Sequence, residues 1–130
     1  MKQKKIKVLK VEPHKIPEVV ELVNELEELQ KAVSIGTDYQ GLIEIIDLAP
    51  NICLLCNEEG KLNGMEGNRR IGNDIICGVF YIVGSDKQGN LCSLTEKQIL
   101  FYNAIFAEPE KFSDEEIESS MFFDITDWED

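Results

Sequence analysis

The first third of the chain shows two different periods of apolar and polar residues. Residues 6–11 place lysines between aliphatic residues, a period of two that predicts a strand with one wet face. These lysines favour an edge strand, or a strand covered by something acidic. Over residues 17–33 the apolar residues recur every three or four positions, and glutamates occupy the opposite side. This second pattern predicts an amphipathic helix whose first turn contains Pro17.

The middle of the chain carries three apolar runs that are typical of strands. Residues 42–48 and 52–56 are nearly continuous in apolar side chains, which indicates a covered sheet, and a turn follows at residues 57–60. Residues 74–84 form the longest run, in which Gly78 indicates a bulge or a close approach of backbone or ligand. Ser93 and Glu96 have the spacing of a capping box, which predicts that a second helix begins at Ser93.

Together these elements predict an α+β fold with a small mixed or antiparallel sheet of about four strands and two helices on one face. The predicted order is strand-helix-strand-strand-strand-helix, followed by an acidic tail. The length of 130 residues fits one domain, which we assign to residues 1–106, with an acidic aromatic C-terminal tail at residues 107–130. Because no apolar run approaches the roughly 18 residues that span a bilayer, we expect a cytoplasmic protein with no membrane partner.

The formal net charge of −12 is concentrated near the C-terminus. Residues 1–106 carry 15 acidic and 12 basic side chains, whereas residues 107–130 carry ten acidic side chains and one basic one. Six lysines lie within residues 1–15, so the two ends of the chain attract each other. A charge of this sign disfavours direct binding to nucleic acid.

Catalytic and metal-binding signatures are weak. Cys53 and Cys56 form a C-x-x-C, but they lie in a predicted strand, where side chains three residues apart point to opposite faces. We therefore expect buried free thiols, no metal site and no cofactor. His14 has no nucleophile that the sequence can place beside it. We expect no catalytic residues and no enzymatic activity.

The segment before the longest strand is the candidate ligand site. Glycines surround the triplet Asn68, Arg69 and Arg70, and we expect this segment to be a loop. Backbone N–H groups near Gly67, and at the close approach expected at Gly78, could meet an anion while the guanidinium groups clamp it. The alternative is that the arginines pair with neighbouring glutamates or with the acidic tail.

The tail contains its own signals. Ser113 and Glu116 form a second capping box, which predicts a short acidic helix over residues 113–120. Phe122, Phe123 and Trp128 then alternate with acidic residues. Large aromatic side chains are atypical of a purely solvating tail, so we expect them to dock, either on the basic first strand or on a partner protein.

Several pieces of the sequence resemble a known family. They are KVLKVEP at residues 7–13, LLCNEEGKLNG at 54–64, NRR at 68–70, DIICGVFYIVG at 74–84 and SLTEKQILFYNAIF at 93–106. In this order they resemble the domain of unknown function numbered 3846, which phages, plasmids and other bacterial mobile elements carry. The resemblance implies such an origin and a bacterial host cell, but it implies no demonstrated activity and supplies no catalytic residues.

Two functions follow as hypotheses. In the first, a phage or mobile-element accessory protein binds an anionic, nucleotide-like small molecule through the segment at residues 67–70, with counter-defence as the biological role. In the second, an acidic interaction or inhibitor module, in the manner of a nucleic-acid mimic, binds a host protein through the tail. Deletion of residues 107–130 is then expected to leave the core folded. Homo-oligomer formation stays open in both.

Overall fold

The computed structural model describes residues 4–37 and 40–127, with side chains in the last helix as far as Ser120. Eight strands and three helices lie within these ranges. In chain order they are β1 (Lys5–Val11), β2 (Glu18–Val23), α1 (Leu26–Val33), β3 (Ile43–Ala49), β4 (Ile52–Asn57), β5 (Gly67–Ile71), β6 (Asp74–Cys77), β7 (Phe80–Ser85), β8 (Leu91–Cys92), α2 (Glu96–Ile105) and α3 (Asp114–Asp127).

The main sheet is antiparallel and has the order β2-β1-β7-β4-β3, with the short β8 beside β7. Strands β5 and β6 form a separate two-stranded hairpin. The α+β class and an antiparallel sheet are therefore confirmed. The predicted number of about four strands and two helices is wrong, because the described chain contains more of each.

Helices cover both faces of the main sheet, so the prediction of helices on one face is wrong. One face packs against α1 through Leu29 and Val33, and the other packs against α2 through Tyr102 and Phe106. Successive residues of β4 alternate between these two cores, as the period of a strand requires. Cys53 accordingly lies on the α1 side and Cys56 on the α2 side, as predicted for the C-x-x-C.

The predicted helix over residues 17–33 is wrong in its first half, where β2 occupies Glu18–Val23. This segment is rich in valine, and its glutamates pair with the lysines of β1, with Glu21 opposite Lys7 and Glu18 opposite Lys10. Such opposite-charge cross-strand pairs contribute about 0.2–1 kcal/mol each, a long-range gain that helical periodicity does not contain. Strand β1 is thus an inner strand between β2 and β7, so the edge position is wrong, and its acidic neighbours lie beside it in the same sheet.

The long strand predicted at residues 74–84 is two strands that belong to different sheets. The chain leaves the hairpin after Cys77 and enters the main sheet at Phe80. Between them Gly78 has φ = +84°, a conformation that disfavours side chains. A Cβ atom on Gly78 would lie 2.5 Å from Sδ of Met65, so the close approach is to a side chain and not to the backbone or ligand that was expected, and Gly78 marks a crossover between sheets.

The helix starts were predicted with mixed success. Helix α2 is capped by Thr95 and Gln98 in a capping box, rather than by Ser93 and Glu96. The Ser93 hydroxyl instead accepts a hydrogen bond from the backbone N–H of Lys7, at 2.9 Å. The second predicted capping box is confirmed, because Glu116 N–H donates to the Ser113 hydroxyl at 3.1 Å and Ser113 N–H donates to the Glu116 carboxylate at 3.1 Å. Helix α3 continues beyond the predicted end at residue 120, to Asp127.

Candidate functional site: the β5–β6 hairpin and the C-terminal helix

The Asn68–Arg70 segment forms strand β5 of the hairpin, so the prediction of a loop is wrong. Arg70 pairs with Ile75 and Ile71 pairs with Asp74 across a two-residue turn that contains Gly72. Gly72 has φ = +61°, which suits the left-handed conformation that tight hairpin turns require. The glycines of this region thus serve a hairpin turn and close packing of chain segments, and the hairpin fixes the directions of the three polar side chains.

Asn68 is fully buried, and its side-chain amide joins the hairpin to the end of β1 and to the crossover at Gly78. Its Nδ2 donates to the carbonyl oxygens of Val11 and Gly78, both at 2.8 Å. Its Oδ1 accepts a hydrogen bond from Nη1 of Arg69, also at 2.8 Å. These three bonds satisfy the amide where strand ladders end, which is the requirement for a buried polar group.

Arg69 is 1% exposed, and its guanidinium joins three separate parts of the chain. Nε and Nη2 donate to the carbonyl oxygen of Phe106 at 3.2 and 2.9 Å, at the C-terminal end of α2. Nη2 also donates to the carbonyl oxygen of Lys15 at 2.8 Å, on the connection between β1 and β2. Burial lowers the pKa of Arg69 from its ordinary value, and the nearby carboxylate of Glu110 acts in the opposite direction.

These contacts account for Asn68 and Arg69 without a ligand. A cation at the C-terminal end of a helix is also favoured by the helix dipole, so Arg69 suits the position beside Phe106. The hairpin therefore brings Gly67, Asn68 and Arg69 together at an internal joint. Among the three polar residues of the candidate ligand site, Arg70 is the one that the strand directs toward solvent, with its side chain 44% exposed.

Arg70 contacts the segment that leads into α3. Its Nη2 lies 3.5 Å from the Glu116 carboxylate, and its guanidinium carbon lies 5.6 Å from the centre of the Phe112 ring. The backbone N–H of Arg70 donates to the Glu110 carboxylate at 3.1 Å. Arg70 thus pairs with a glutamate of the acidic tail, as the alternative interpretation of the arginines predicted. A pocket of about 400 Å³ lies beside Arg70 and is also lined by serines and glutamates of α3.

The first part of the tail closes a small core on the hairpin. Phe112 and Ile117 pack against Met65, Ile75 and Cys77. A Cβ atom on Gly67 would lie 2.8 Å from the Phe112 ring, so the glycine at this position allows the ring to pack closely. The contact lies on the hairpin, and the docking on β1 that the sequence favoured concerns Phe122, Phe123 and Trp128, whose side chains the structure does not describe. Sequence spacing gave no signal for the hairpin contact, because the hairpin itself had been predicted as a loop.

The aromatic residues that we predicted to contact a partner follow this anchored part. Phe122 and Phe123 belong to α3, beyond the last side chain that the structure describes, and Trp128 lies outside the described residues. Their docking stays a prediction. Before them, the exposed residues of α3 include Asp114, Glu115 and Glu118, which form an acidic surface at the start of the helix.

Other candidate groups are distributed over the fold. His14 lies at φ = 65°, and its Nε2 is 2.8 Å from the Glu66 carboxylate, with both side chains about half exposed or more. The four cysteines are free thiols, and burial raises the pKa of Cys56 to about 12. Within the described residues, no group of three or more histidine, cysteine, aspartate or glutamate side chains could hold a metal ion.

Sequence reasoning missed two surfaces. A pocket of about 300 Å³ lies between β3, β4 and β6, and an ion pair between Lys61 and Asp74 contributes to its lining. Helix α2 presents an exposed apolar row of Leu100, Phe101 and Ile105, although apolar residues around much of its circumference are typical of a deeply packed helix. Phe101 and Ile105 are four positions apart and so share one side of the helix, but that spacing does not say which side faces the core.

The family model for a domain of unknown function, DUF3846, matches residues 6–107. The chain belongs to this family. No curated protein and no solved structure matches the chain significantly. The match ends before Phe112, so the segment that covers the hairpin core and all of α3 lie beyond it. In the described ranges, no helix of this DUF3846 protein is long and apolar enough to cross a membrane.

Proposed function

We propose that this protein is a non-enzymatic accessory protein of a phage or another bacterial mobile element, and that it acts in the host cytoplasm. It binds a basic surface of a host protein through the acidic helix α3 and the aromatic residues that follow. The observation that carries this proposal is the way in which α3 is held. Its first turns are fixed to the hairpin on one side and present carboxylates to solvent on the other.

The anchor consists of side chains that face the body of the domain. Ile117 and Ser120 are partly or fully buried, and Phe112 packs under Arg70 just before the helix. Asp114, Glu115 and Glu118 carry the exposed charge. A helix that is already ordered loses less conformational entropy on binding than a disordered acidic tail would, so the same charges give higher affinity.

Electrostatic steering gives this surface its selectivity. Residues 107–130 carry ten acidic side chains and one lysine, and a row of carboxylates accelerates encounter with a positively charged partner. The aromatic residues Phe122, Phe123 and Trp128 would then supply the apolar contacts that dominate affinity at the centre of an interface. A surface of this kind resembles the charge distribution of nucleic acid, and a nucleic-acid-binding host protein is the partner class that fits it.

The second candidate, capture of an anionic small molecule with a counter-defence role, has weaker support. Asn68 and Arg69 use their donors on backbone carbonyls, so the proposal now depends on Arg70 and its pocket of about 400 Å³. Glu116 already pairs with that guanidinium, and an anion would have to displace it. Thermal stabilisation by nucleotides that Arg70→Ala abolishes would favour this candidate over the first.

The proposed function is tested by affinity capture from a bacterial host lysate, followed by binding measurements on the purified partner. The variant D114N/E115Q/E118Q removes exposed carboxylates of α3 and leaves Glu116 in its capping box. The control variant E27Q/E28Q/E96Q removes three exposed carboxylates from other parts of the surface. We expect the α3 variant to lose at least about tenfold in affinity and the control to lose less than about threefold.

Deletion of residues 121–130 tests the aromatic segment separately, because it leaves Phe112 and Ile117 in place. We expect the same partner to be lost from this truncated protein, while its circular dichroism spectrum loses only the helical signal of residues 121–127. A partner that binds the wild type, the α3 variant and the truncated protein equally well would show that the tail is not the binding surface.

A further inference from the structure

Strand β3 forms one edge of the main sheet, and in the described chain it pairs with β4 alone. The outward direction of its backbone groups follows from one hydrogen bond. Glu58 N–H donates to the carbonyl oxygen of Leu42 at 2.9 Å, and the register places Leu42 opposite Glu58. Because hydrogen-bonded and non-hydrogen-bonded pairs alternate along an antiparallel ladder, Ile43, Ile45 and Asp47 direct their N–H and C=O groups away from β4.

This edge has two features that usually protect an exposed strand, the charged side chains of Glu44 and Asp47 and a bulge between Asp47 and Ala49, and both charges are negative. Between Ile43 and Ala49 there is no lysine, proline or glycine, and five of the seven residues are aliphatic. Ile45 is 57% exposed, and Leu42, just before the strand, is 59% exposed. A strand that paired with this edge would therefore form backbone hydrogen bonds and also bury apolar surface.

The two acidic residues of β3 have the same spacing as two glutamates of β2, which lie opposite basic residues. The two acidic residues of β3, Glu44 and Asp47, are three positions apart. Glu18 and Glu21 of β2 have the same spacing. From the first acid onward the strands read E-I-I-D-L-A and E-V-V-E-L-V.

In β2 the two glutamates lie opposite lysines of β1. Lys10 lies opposite Glu18, and Lys7 lies opposite Glu21, in the sequence KIKVLKV of β1. On β3 the residues opposite Glu44 and Asp47 are the thiols Cys56 and Cys53, which donate sulfur hydrogen bonds at 3.7 and 3.3 Å. Both carboxylates belong to exposed residues.

We propose that the free edge of β3 binds an extended segment of a partner protein in which two basic residues, three positions apart, enclose aliphatic residues, as Lys7-Val-Leu-Lys10 does in β1. The segment adds to the sheet as an antiparallel strand. Its two basic side chains lie opposite Glu44 and Asp47, one on each face, and its backbone pairs with the outward groups of Ile45 and its odd-numbered neighbours. This surface is separate from α3 and does not depend on the function proposed for the tail.

A second copy of the chain fits this edge less well. Antiparallel self-pairing must place outward-directed residues opposite each other, for example Ile45 opposite Ile45 of the other copy. Glu44 would then lie opposite Ile46 and Asp47 opposite Ile43, so neither carboxylate would gain an opposite charge. Two copies that each carry a net charge of −12 also repel each other at long range. A basic strand removes both disadvantages, because it supplies the opposite charge at the same two positions.

The test uses the full-length protein and a fluorescently labelled, end-capped peptide with the sequence KIKVLKV. Fluorescence anisotropy measures its affinity for the wild type, for E44Q/D47Q and for the control E18Q/E21Q, which removes two carboxylates of β2 with the same spacing. We expect E44Q/D47Q to weaken binding about tenfold and the control to change it less than about twofold. The peptide KIQVLQV is expected to bind the wild type about tenfold more weakly than KIKVLKV.

Two further measurements locate the peptide. Amide hydrogen exchange should slow at Ile43, Ile45 and Asp47 when the peptide binds, and the exchange rate of Glu44 should change little. The charge-reversed variant E44K/D47K should bind EIEVLEV better than KIKVLKV. Equal losses of affinity in E44Q/D47Q and E18Q/E21Q, or no slowing of exchange on β3, would overturn the proposal. So would a dimer at micromolar concentration in size-exclusion chromatography with light scattering that I45P dissociates, because the edge would then belong to a second copy.

Discussion

Replacement of Arg69 by alanine should destabilise the whole domain, because its guanidinium links the β1–β2 connection, the hairpin and the end of α2. The guanidinium donates to four acceptors, which are the carbonyl oxygens of Phe106, Lys15 and Asn68 and the Oδ1 atom of Asn68. Hydrogen bonds to charged groups contribute about 1.5–3 kcal/mol each, and burial of the guanidinium opposes part of that sum. We therefore expect the free energy of unfolding to fall by about 3–5 kcal/mol.

Arg70→Ala is the matched control, since it removes the same charge from the neighbouring position of the same strand. Its ion pair with Glu116 is at the surface and is 3.5 Å long, and its contact with the Phe112 ring is 5.6 Å from the centroid. A surface ion pair contributes about 0.2–1 kcal/mol, and an exposed cation–π contact contributes about 0.5–1 kcal/mol. The expected loss for Arg70→Ala is thus about 1 kcal/mol.

Urea unfolding followed by circular dichroism measures the free energy of unfolding of both variants, and thermal melts measure their Tm. For a domain of this length, 1 kcal/mol corresponds to about 3–5 °C in Tm, so Arg69→Ala should melt at least about 9 °C below the wild type and Arg70→Ala within about 5 °C. Arg69→Lys should give an intermediate value, because a point charge cannot reach the carbonyls of Phe106 and Lys15 with the geometry of the guanidinium. Equal losses for Arg69→Ala and Arg70→Ala would refute the structural role of the buried guanidinium.

Three further predictions concern the crossover, a helix cap and a buried thiol. Gly78→Ala should lower the free energy of unfolding by more than about 2 kcal/mol, because Gly78 has a positive φ and contacts Met65. Gly72→Ala, whose added Cβ meets open space, should lower it by about 1 kcal/mol, and thermal melts compare the two variants. Thr95→Ala should cost about 1 kcal/mol through loss of the capping box, and an unchanged Tm would contradict this. The pKa of Cys56 is raised to about 12 in the folded protein, so the thiol of the unfolded chain loses its proton first as the pH rises. The free energy of unfolding should therefore fall as the pH rises from about 9 towards 12. Urea titrations at several pH values should show a smaller dependence on pH for Cys56→Ala than for the wild type.

The sequence predicted the class of the fold, but it predicted the arrangement of strands only where local patterns were sufficient. Alternation identified β1, and apolar runs identified β3 and β4. The glutamate-rich segment at Glu18–Val23 was interpreted as helix, because its spacing fits both a helix and a strand. The segment is a strand that pairs with the lysines of β1, and the period of its own residues does not show which neighbouring segment it pairs with.

The candidate ligand site was misinterpreted for a related physical reason. Glycines beside arginines are typical of anion-binding loops, but glycines are also required where backbones meet closely. Gly78 is needed at a crossover between two sheets, and Gly67 at the contact with Phe112. The direction of Arg69 depends on the position of the Phe106 carbonyl, 37 residues away in the sequence. No local pattern distinguishes a guanidinium that binds a ligand from one that binds the end of a helix.

The position of Phe112 also determines how the function of the tail must be tested. The family match ends at residue 107, which makes residues 107–130 an apparent appendage. However, removal of this whole segment would uncover Met65, Ile75 and Cys77 and would leave Arg70 without Glu116. Loss of partner binding in that deletion would then follow from either hypothesis, a binding tail or a damaged hairpin. Deletion after Ser120 separates them, because it removes the predicted aromatic contacts and retains the anchor on which the acidic helix depends.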